Sequence, residues 1–257
     1  MKNIFCIIAA LISCTAIFCS CGASDKNVPD VSEMTASAEA ESISDVDLTK
    51  GASSLFECAD GWCNGSMFNV TWRKENCTFE NGRMQLIIDK DKKDGSVPYS
   101  GAEYRSKDFY GYGRYEVRMK AIKNDGVVSS FFTYTGPSDS NPWDEIDIEI
   151  LGKDTTKVQF NYFTDSKGNH EYLYDLGFDA SEDFHDYAFE WHKDKIVWFV
   201  DGKEAYTAAE NIPVTPGKIM MNAWCGTGVD SWLNAFDDSH MPLTAEYETI
   251  SFVPFDE

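Results

Sequence analysis

The chain is poor in positive charge. Its 257 residues carry 22 Lys plus Arg against 43 Asp plus Glu, a formal net charge of −21. Phosphate recognition needs a basic footprint, so nucleic acid is excluded as the main partner, and so is charge-driven docking on anionic lipid. Histidine is scarce, and His170, His185, His192 and His240 show neither metal-ligand nor triad spacing. No amphipathic helical pattern longer than about two turns is present, which argues against a helical bundle. Beyond the first 20 residues there is no long apolar run. Of eight cysteines, four fall at positions 6, 14, 19 and 21, leaving Cys58, Cys63, Cys77 and Cys225 in the rest of the chain. Their spacing fits no zinc pattern, and it leaves open whether Cys58, Cys63 and Cys77 pair or stay as thiols.

Apolar residues make up 43% and aromatic residues 14% of the chain, enough for a large core and for flat ligand-stacking surfaces. The first 20 residues hold one charge, Lys2, and an apolar run from Ile4 to Phe18. That run is short for a membrane span and suits the apolar segment of an export signal. It ends in Cys19-Ser20-Cys21-Gly22-Ala23, which resembles a bacterial lipoprotein processing site, with Phe18 where Leu is usual. Residues 1–21 are therefore expected to be a signal peptide of lipoprotein type, with Cys21 as the lipidated terminus; ordinary secretion is the alternative. Either way the protein is expected outside the cytoplasm, touching a membrane only through such an anchor. Residues 22–54 lack aromatics and carry seven acids against Lys26 and Lys50. So little apolar surface cannot offset ordering entropy, and a flexible acidic linker is expected there.

From residue 55 onward, short β-branched and aromatic runs alternate with turn residues. They are Met84–Asp89, Gly113–Ile122, Val127–Tyr134, Glu145–Leu151, Lys157–Thr164, Asp186–His192, Ile196–Val200, Lys218–Ala223 and Tyr247–Val253. Asp201-Gly202 between two such runs is a two-residue hairpin signal. Strands at intervals near ten residues predict an all-β sandwich or jelly roll over residues 55–257.

One strand carries chemistry. In Trp143-Asp144-Glu145-Ile146-Asp147-Ile148-Glu149-Ile150-Leu151, carboxylates at 145, 147 and 149 alternate with isoleucines. A strand puts the three acids on one face and the isoleucines on the other. Four residues of strand span about 13 Å between α-carbons. Inward-leaning glutamate side chains reduce that to roughly 5–6 Å between carboxyls, the spacing of a retaining glycosidase. Asp147, between them, would keep Glu149 protonated while Glu145 stays ionised. A calcium site and a plain solvated face are the alternatives for this segment taken alone.

At this motif the sequence resembles glycoside hydrolase family 16, in particular its bacterial lichenase branch, the endo-β-1,3-1,4-glucanases. The resemblance runs through Trp62–Asn69, Gly111–Lys120, Val128–Pro137, Asn141–Trp143, the acidic strand, Gln159–Tyr162 and Ile212–Asn222. It implies a concanavalin-like jelly-roll β-sandwich of two curved antiparallel sheets, with a concave cleft for a polysaccharide. The uninterrupted Glu-Ile-Asp-Ile-Glu, without an extra residue before the last Glu, resembles the lichenase and xyloglucan-transferase branch. The plant transferases usually add a C-terminal extension with its own cysteines; the sequence stops soon after Phe252-Val253-Pro254, so the lichenase branch is expected. Rival readings are a β-1,3-glucanase or glucan transferase of the same fold, or a non-catalytic glucan-binding protein.

The resemblance implies Glu145 as nucleophile, Glu149 as general acid/base and Asp147 as assisting carboxylate. It places Asn64, Glu103, Arg105, Phe132, Tyr134, Trp143, Asn161, Asn222, Trp224 and Trp232 along the substrate. Aromatic rings suit the C–H faces of glucose, and Asn, Glu and Arg suit its hydroxyls. The expected partner is a mixed-linkage β-glucan, met by a monomer. The chemistry needs no cofactor. The family's structural calcium is left open, with Glu248 as its candidate carboxylate in place of the usual Asp. Other departures are Phe163 where Tyr is common, Cys225 where Pro is usual, and Val70 and Ala102 near the positions of a bridging cysteine pair found in many relatives.

Overall fold

The computed structural model describes residues 42–93 and 95–256. The export signal and Cys21 lie outside the described residues, as does most of the acidic linker. Sixteen strands follow in chain order. The first eight are β1 (Ile43–Asp47), β2 (Phe56–Cys58), β3 (Val70–Trp72), β4 (Cys77–Glu80), β5 (Arg83–Lys90), β6 (Tyr99–Ser106), β7 (Gly113–Lys120) and β8 (Val127–Thr135). The remainder are β9 (Asp144–Leu151), β10 (Lys157–Phe163), β11 (Tyr172–Asp175), β12 (His185–Trp191), β13 (Ile196–Val200), β14 (Lys203–Ala208), β15 (Lys218–Cys225) and β16 (Leu243–Pro254). Among the described residues the one α-helix is the single turn Asp230–Leu233.

The strands form one path, β11-β10-β9-β8-β15-β6-β5-β16-β7-β12-β13-β14. It folds over at the β5–β6 junction, where only Asp89↔Ser100 and Lys90↔Tyr99 pair. The two halves are the layers of the jelly roll, packed face to face as two-layer β domains must be to bury one side of each sheet. Pairing is antiparallel throughout except between β3 and β6, where Val70↔Tyr99 through Trp72↔Gly101 run parallel. The hairpin at Asp201-Gly202 takes positive φ at both residues, 47° and 72°, as its composition predicts.

Between the layers, Ile146, Ile148 and Ile150 of β9 are fully buried, as are Phe131, Phe160, Phe189 and Trp198. Each such isoleucine contributes about 2–3 kcal/mol by its removal from water. Trp198 also donates from Nε1 to the Asp147 carbonyl at 3.1 Å, so the opposite layer holds the acidic strand from behind.

Two departures from the expected boundaries matter. The linker was expected to run to residue 54, but Ile43–Asp47 pairs with β16 through Ile43↔Phe252, Val46↔Ile250 and Asp47↔Thr249. A 3-10 turn at Leu48–Lys50 follows, with Leu48 completely buried. The strand is acidic and unremarkable alone; its apolar residues find a finished core only in the folded chain. Strand β6 is likewise absent from the run of expected strands. Its sequence Tyr-Ser-Gly-Ala-Glu-Tyr-Arg-Ser has no apolar alternation. Gly101 is required there because a Cβ would sit 2.8 Å from the Ala223 carbonyl and 2.9 Å from Val70 Cγ2.

Candidate active site

The cleft is built by register. Glu145 of β9 lies beside Tyr134 on β8 and Phe163 on β10. Asp147 lies beside Phe132 and Asn161, and Glu149 beside Ser130 and Gln159. Strand β15 continues the rows with Lys218, Met220 and Asn222, and β6 adds Arg105 and Glu103. Side chains on directly paired residues point to the same face, so one strand's alternation is carried across five strands. The cleft face therefore reads Gln159–Glu149–Ser130–Asn222–Glu103 in one row and Asn161–Asp147–Phe132–Met220–Arg105 in the next.

The two glutamates are held by different donors. Trp143 donates from Nε1 to Glu145 Oε2 at 2.5 Å. Gln159 donates from Nε2 to Glu149 Oε2 at 2.6 Å and accepts from Trp232 Nε1 at 3.2 Å. Asp147, 5% exposed, is hydrogen-bonded through its side chain to Glu145. Burial raises all three carboxyls. Glu145 reaches about 7, held back by the bonds from Trp143 and Asp147. Glu149 reaches about 8, with the Gln159 bond opposing and the Glu145 charge adding to the rise. Asp147 is pushed well above the usual carboxylate range by burial and by both glutamates. Asp147 is thus the proton-bearing partner of Glu145, and the three carboxyls titrate as one coupled group above the usual carboxylate range.

The other expected residues fall into groups. Glu103 is 3% exposed and is raised to about 7, chiefly by burial, with the Arg105 charge and a bond from Asn222 opposing. Ser130 donates from Oγ to Asn222 Oδ1 at 2.6 Å. The Arg105 guanidinium lies 4.9 Å over the Trp62 ring. The buried Asn161 Oδ1 has no hydrogen-bond partner in the protein, an acceptor left for a ligand hydroxyl. Tyr134 and Trp143 keep part of their surface open, and Trp143 stacks on Phe163 at 4.5 Å. Phe163 thus supplies ring surface where a tyrosine would also offer a hydroxyl.

Three residues sit differently from a simple stacking platform. Trp224 is 3% exposed, clamped by Phe68 at 4.2 Å and Trp232 at 6.1 Å, so it supports the cleft wall. Phe132 is also buried, at 7%. Asn64 is exposed, and its Oδ1 is occupied by Trp72 Nε1 at 2.8 Å. Gln159 is the functional side chain not singled out from the sequence. Two-residue alternation from Asn161 on β10 would have found it.

Glu248 does not suit a calcium ligand. Its Oε2 is bound by Arg118 Nε at 3.0 Å, and a guanidinium in that position opposes a cation. Among the described residues no group of three or more His, Cys, Asp or Glu is placed to hold a metal ion.

The chain matches the family model "Glycosyl hydrolases family 16" over residues 64–246. The chain belongs to glycosyl hydrolase family 16. It is 61% identical over 202 residues to a beta-glucanase of Acetivibrio thermocellus, covering 79% of this chain and 60% of that protein. It is 56% identical over 201 residues to a beta-glucanase of Paenibacillus polymyxa, covering 78% of this chain and 83% of that one. A crystal structure of a prokaryotic beta-1,3-1,4-glucanase (lichenase) from a mouse hindgut metagenome superposes with a TM-score of 0.80 at 57% identity, covering 82% of this chain and 98% of that chain. The family 16 jelly roll implied by the resemblance is thus the fold found.

Proposed function

We propose that this family 16 protein is a retaining endo-β-1,3-1,4-glucanase that hydrolyses mixed-linkage β-glucan by double displacement. The observation that carries the reading is the separate tethering of two carboxyls on one cleft face. Glu145 is bound by Trp143 and Asp147, and Glu149 by Gln159. Glu145, ionised, attacks the anomeric carbon. Glu149, still protonated, gives its proton to the departing glycosidic oxygen. The product is an ester between Glu145 and the sugar, with the chain beyond the cleavage point released. Glu149, now a carboxylate, takes a proton from water, whose oxygen attacks the same carbon and frees Glu145. Two inversions leave the configuration retained. Asp147 keeps its proton through both displacements and donates a hydrogen bond to the Glu145 carboxylate before attack and after release.

The named beta-glucanases and the lichenase support the substrate class. The cleft offers Asn161, Asn222, Glu103 and Arg105 to hydroxyls and Trp143 and Tyr134 to sugar faces. No step in this chemistry calls on a cofactor. The test is reducing-sugar release by residues 42–257 on mixed-linkage β-glucan, pure β-1,3-glucan and soluble β-1,4-glucan. Activity confined to the mixed-linkage polymer is expected. Activity on the β-1,3 polymer would replace the reading with a β-1,3-glucanase, and binding without release would leave a glucan-binding protein.

Residues 1–21 support export, with Cys21 as the anchor of a cell-surface lipoprotein. Mass spectrometry of the mature N-terminus separates a diacylated Cys21 from plain cleavage.

A further inference from the structure

Cys77 and the residue that follows Cys58 meet at one backbone oxygen of the cleft sheet. Cys58 ends β2 and pairs with Tyr104 of β6, and the next amide, Ala59 N, donates to the Glu103 carbonyl at 2.9 Å. Cys77 begins β4 and donates from Sγ to that same Glu103 carbonyl at 3.5 Å. The two thiols lie close enough to shift one another's acidity in opposite directions. Both are reduced, Cys58 half-buried and Cys77 8% exposed. The other two thiols are engaged locally: Cys63 Sγ donates to the Phe68 carbonyl at 3.4 Å, and Cys225 Sγ to that of Asn69 at 3.8 Å.

We propose that Cys58 and Cys77 are a thiol–disulfide site, which a disulfide-bearing oxidant closes into a bond tying β2 to β4. Neither thiol belongs to the catalytic machinery. The bond would bracket residues 59–76, the loop that holds Asn64 and Trp62 at the edge of the cleft. The roles of the two sulfurs differ. Cys58 has the access an attacking thiolate needs. The nearness of Cys77 also draws its pKa below the ordinary thiol value, while the same nearness, with burial, raises Cys77. Cys58 attacks one sulfur of the oxidant, here oxidised glutathione. One glutathione leaves as a thiol and the other stays on Cys58 as a mixed disulfide. Cys77 then loses its proton to water and attacks Cys58 Sγ, releasing the second glutathione. Two protein thiols are oxidised and one glutathione disulfide is reduced to two thiols. The bond lowers the entropy of the unfolded chain by closing a loop of about 20 residues.

The experiment treats the full-length chain with oxidised glutathione, blocks remaining thiols with iodoacetamide, and digests with trypsin and Asp-N. That digestion puts Cys58 in peptide 51–59, Cys63 in 60–73 and Cys77 in 75–83, apart from the N-terminal cysteines. The expected product is 51–59 joined to 75–83, accompanied by a rise in Tm of about 5 °C. C63S should form the same link. C77A should hold one glutathione on Cys58, whereas C58S should take glutathione on Cys77 at least tenfold more slowly. Because Cys58 is half-buried, C58S reports even if the C77A core is disturbed. Stable glutathionylation of Cys58 in the unmutated chain, a link to Cys63, or equal reactivity of Cys77 in C58S would each overturn the proposal.

Discussion

Gln159 donates a 2.6 Å hydrogen bond to Glu149 while Trp232 holds Gln159 from the other side at 3.2 Å. This relay fixes the rotamer of the proposed general acid and opposes the rise in its pKa that burial causes. Q159A should therefore shift the alkaline limb of the kcat/KM profile upward from about pH 8 and lower kcat by roughly tenfold, from looser placement of the proton donor. Full pH–rate curves of the variant and parent decide this. A lower kcat with an unmoved limb would assign Gln159 to packing alone.

Glu145 and Glu149 should respond differently to the leaving group. E145Q should lose on the order of 10⁴ in kcat on every substrate, because no ester can form. E149Q should lose about 10²–10⁴ on β-glucan, yet recover much of that on an aryl glycoside whose phenolate leaves unaided. Steady-state kinetics on both substrate types distinguish the roles. An E145Q variant with near-parental turnover would remove the nucleophile assignment.

Activity should follow a bell in pH, with limbs near 7 for Glu145 and near 8 for Glu149. Trp143 lowers the first limb by donating to Glu145. W143F should therefore move the acidic limb upward and narrow the bell, as read from the same profiles.

Folding stability should fall on the alkaline side. Glu103 titrates near 4.3 in an unfolded chain and near 7 in the fold, so the folded state binds its proton more tightly. The stability from that difference is complete below the unfolded value and is lost as pH rises through about 7. The loss from Glu103 is of the order of 2–4 kcal/mol, and Glu145 and Glu149 act with the same sign. Urea midpoints between pH 5 and 9 should decline, and E103Q should flatten the decline. A midpoint independent of pH across that range would contradict the raised carboxyls.

The N-terminal strap should contribute to the domain. Leu48 is wholly buried beside β16, so L48A should cost about 2–4 kcal/mol. Removing residues 42–54 should lower Tm further, since β1 covers an edge of β16. Thermal melts of both forms against the parent test this, and an unchanged Tm would return these residues to the linker.

The lettering of β9 determined its own structure and chemistry. Two-residue alternation of Glu, Asp and Glu with isoleucines assigns one face to the core and the other to the cleft. The boundaries of β8, β10, β13 and β15 were legible for a different local reason, since each is a β-branched or aromatic run, buried along nearly its whole length. Strand β6 was not, although it brings Glu103 and Arg105 to the cleft. Its glycine and charges make sense only with β15 and β3 packed against it. The segment at 43–50 looked like linker because its few apolar residues need a core built by residues two hundred positions away.

Glu248 on paper was a carboxylate near the last strand; in the fold it accepts a hydrogen bond from Arg118 on the neighbouring strand β7. The same limit applies to Gln159, Trp232 and Glu149, and to Cys58, Cys77 and the Glu103 carbonyl. Local sequence periodicity sets which way a side chain points along its own strand. Which side chains then share a proton, a hydrogen bond or a sulfur contact depends on interstrand register, and register is decided by how both layers close over one core.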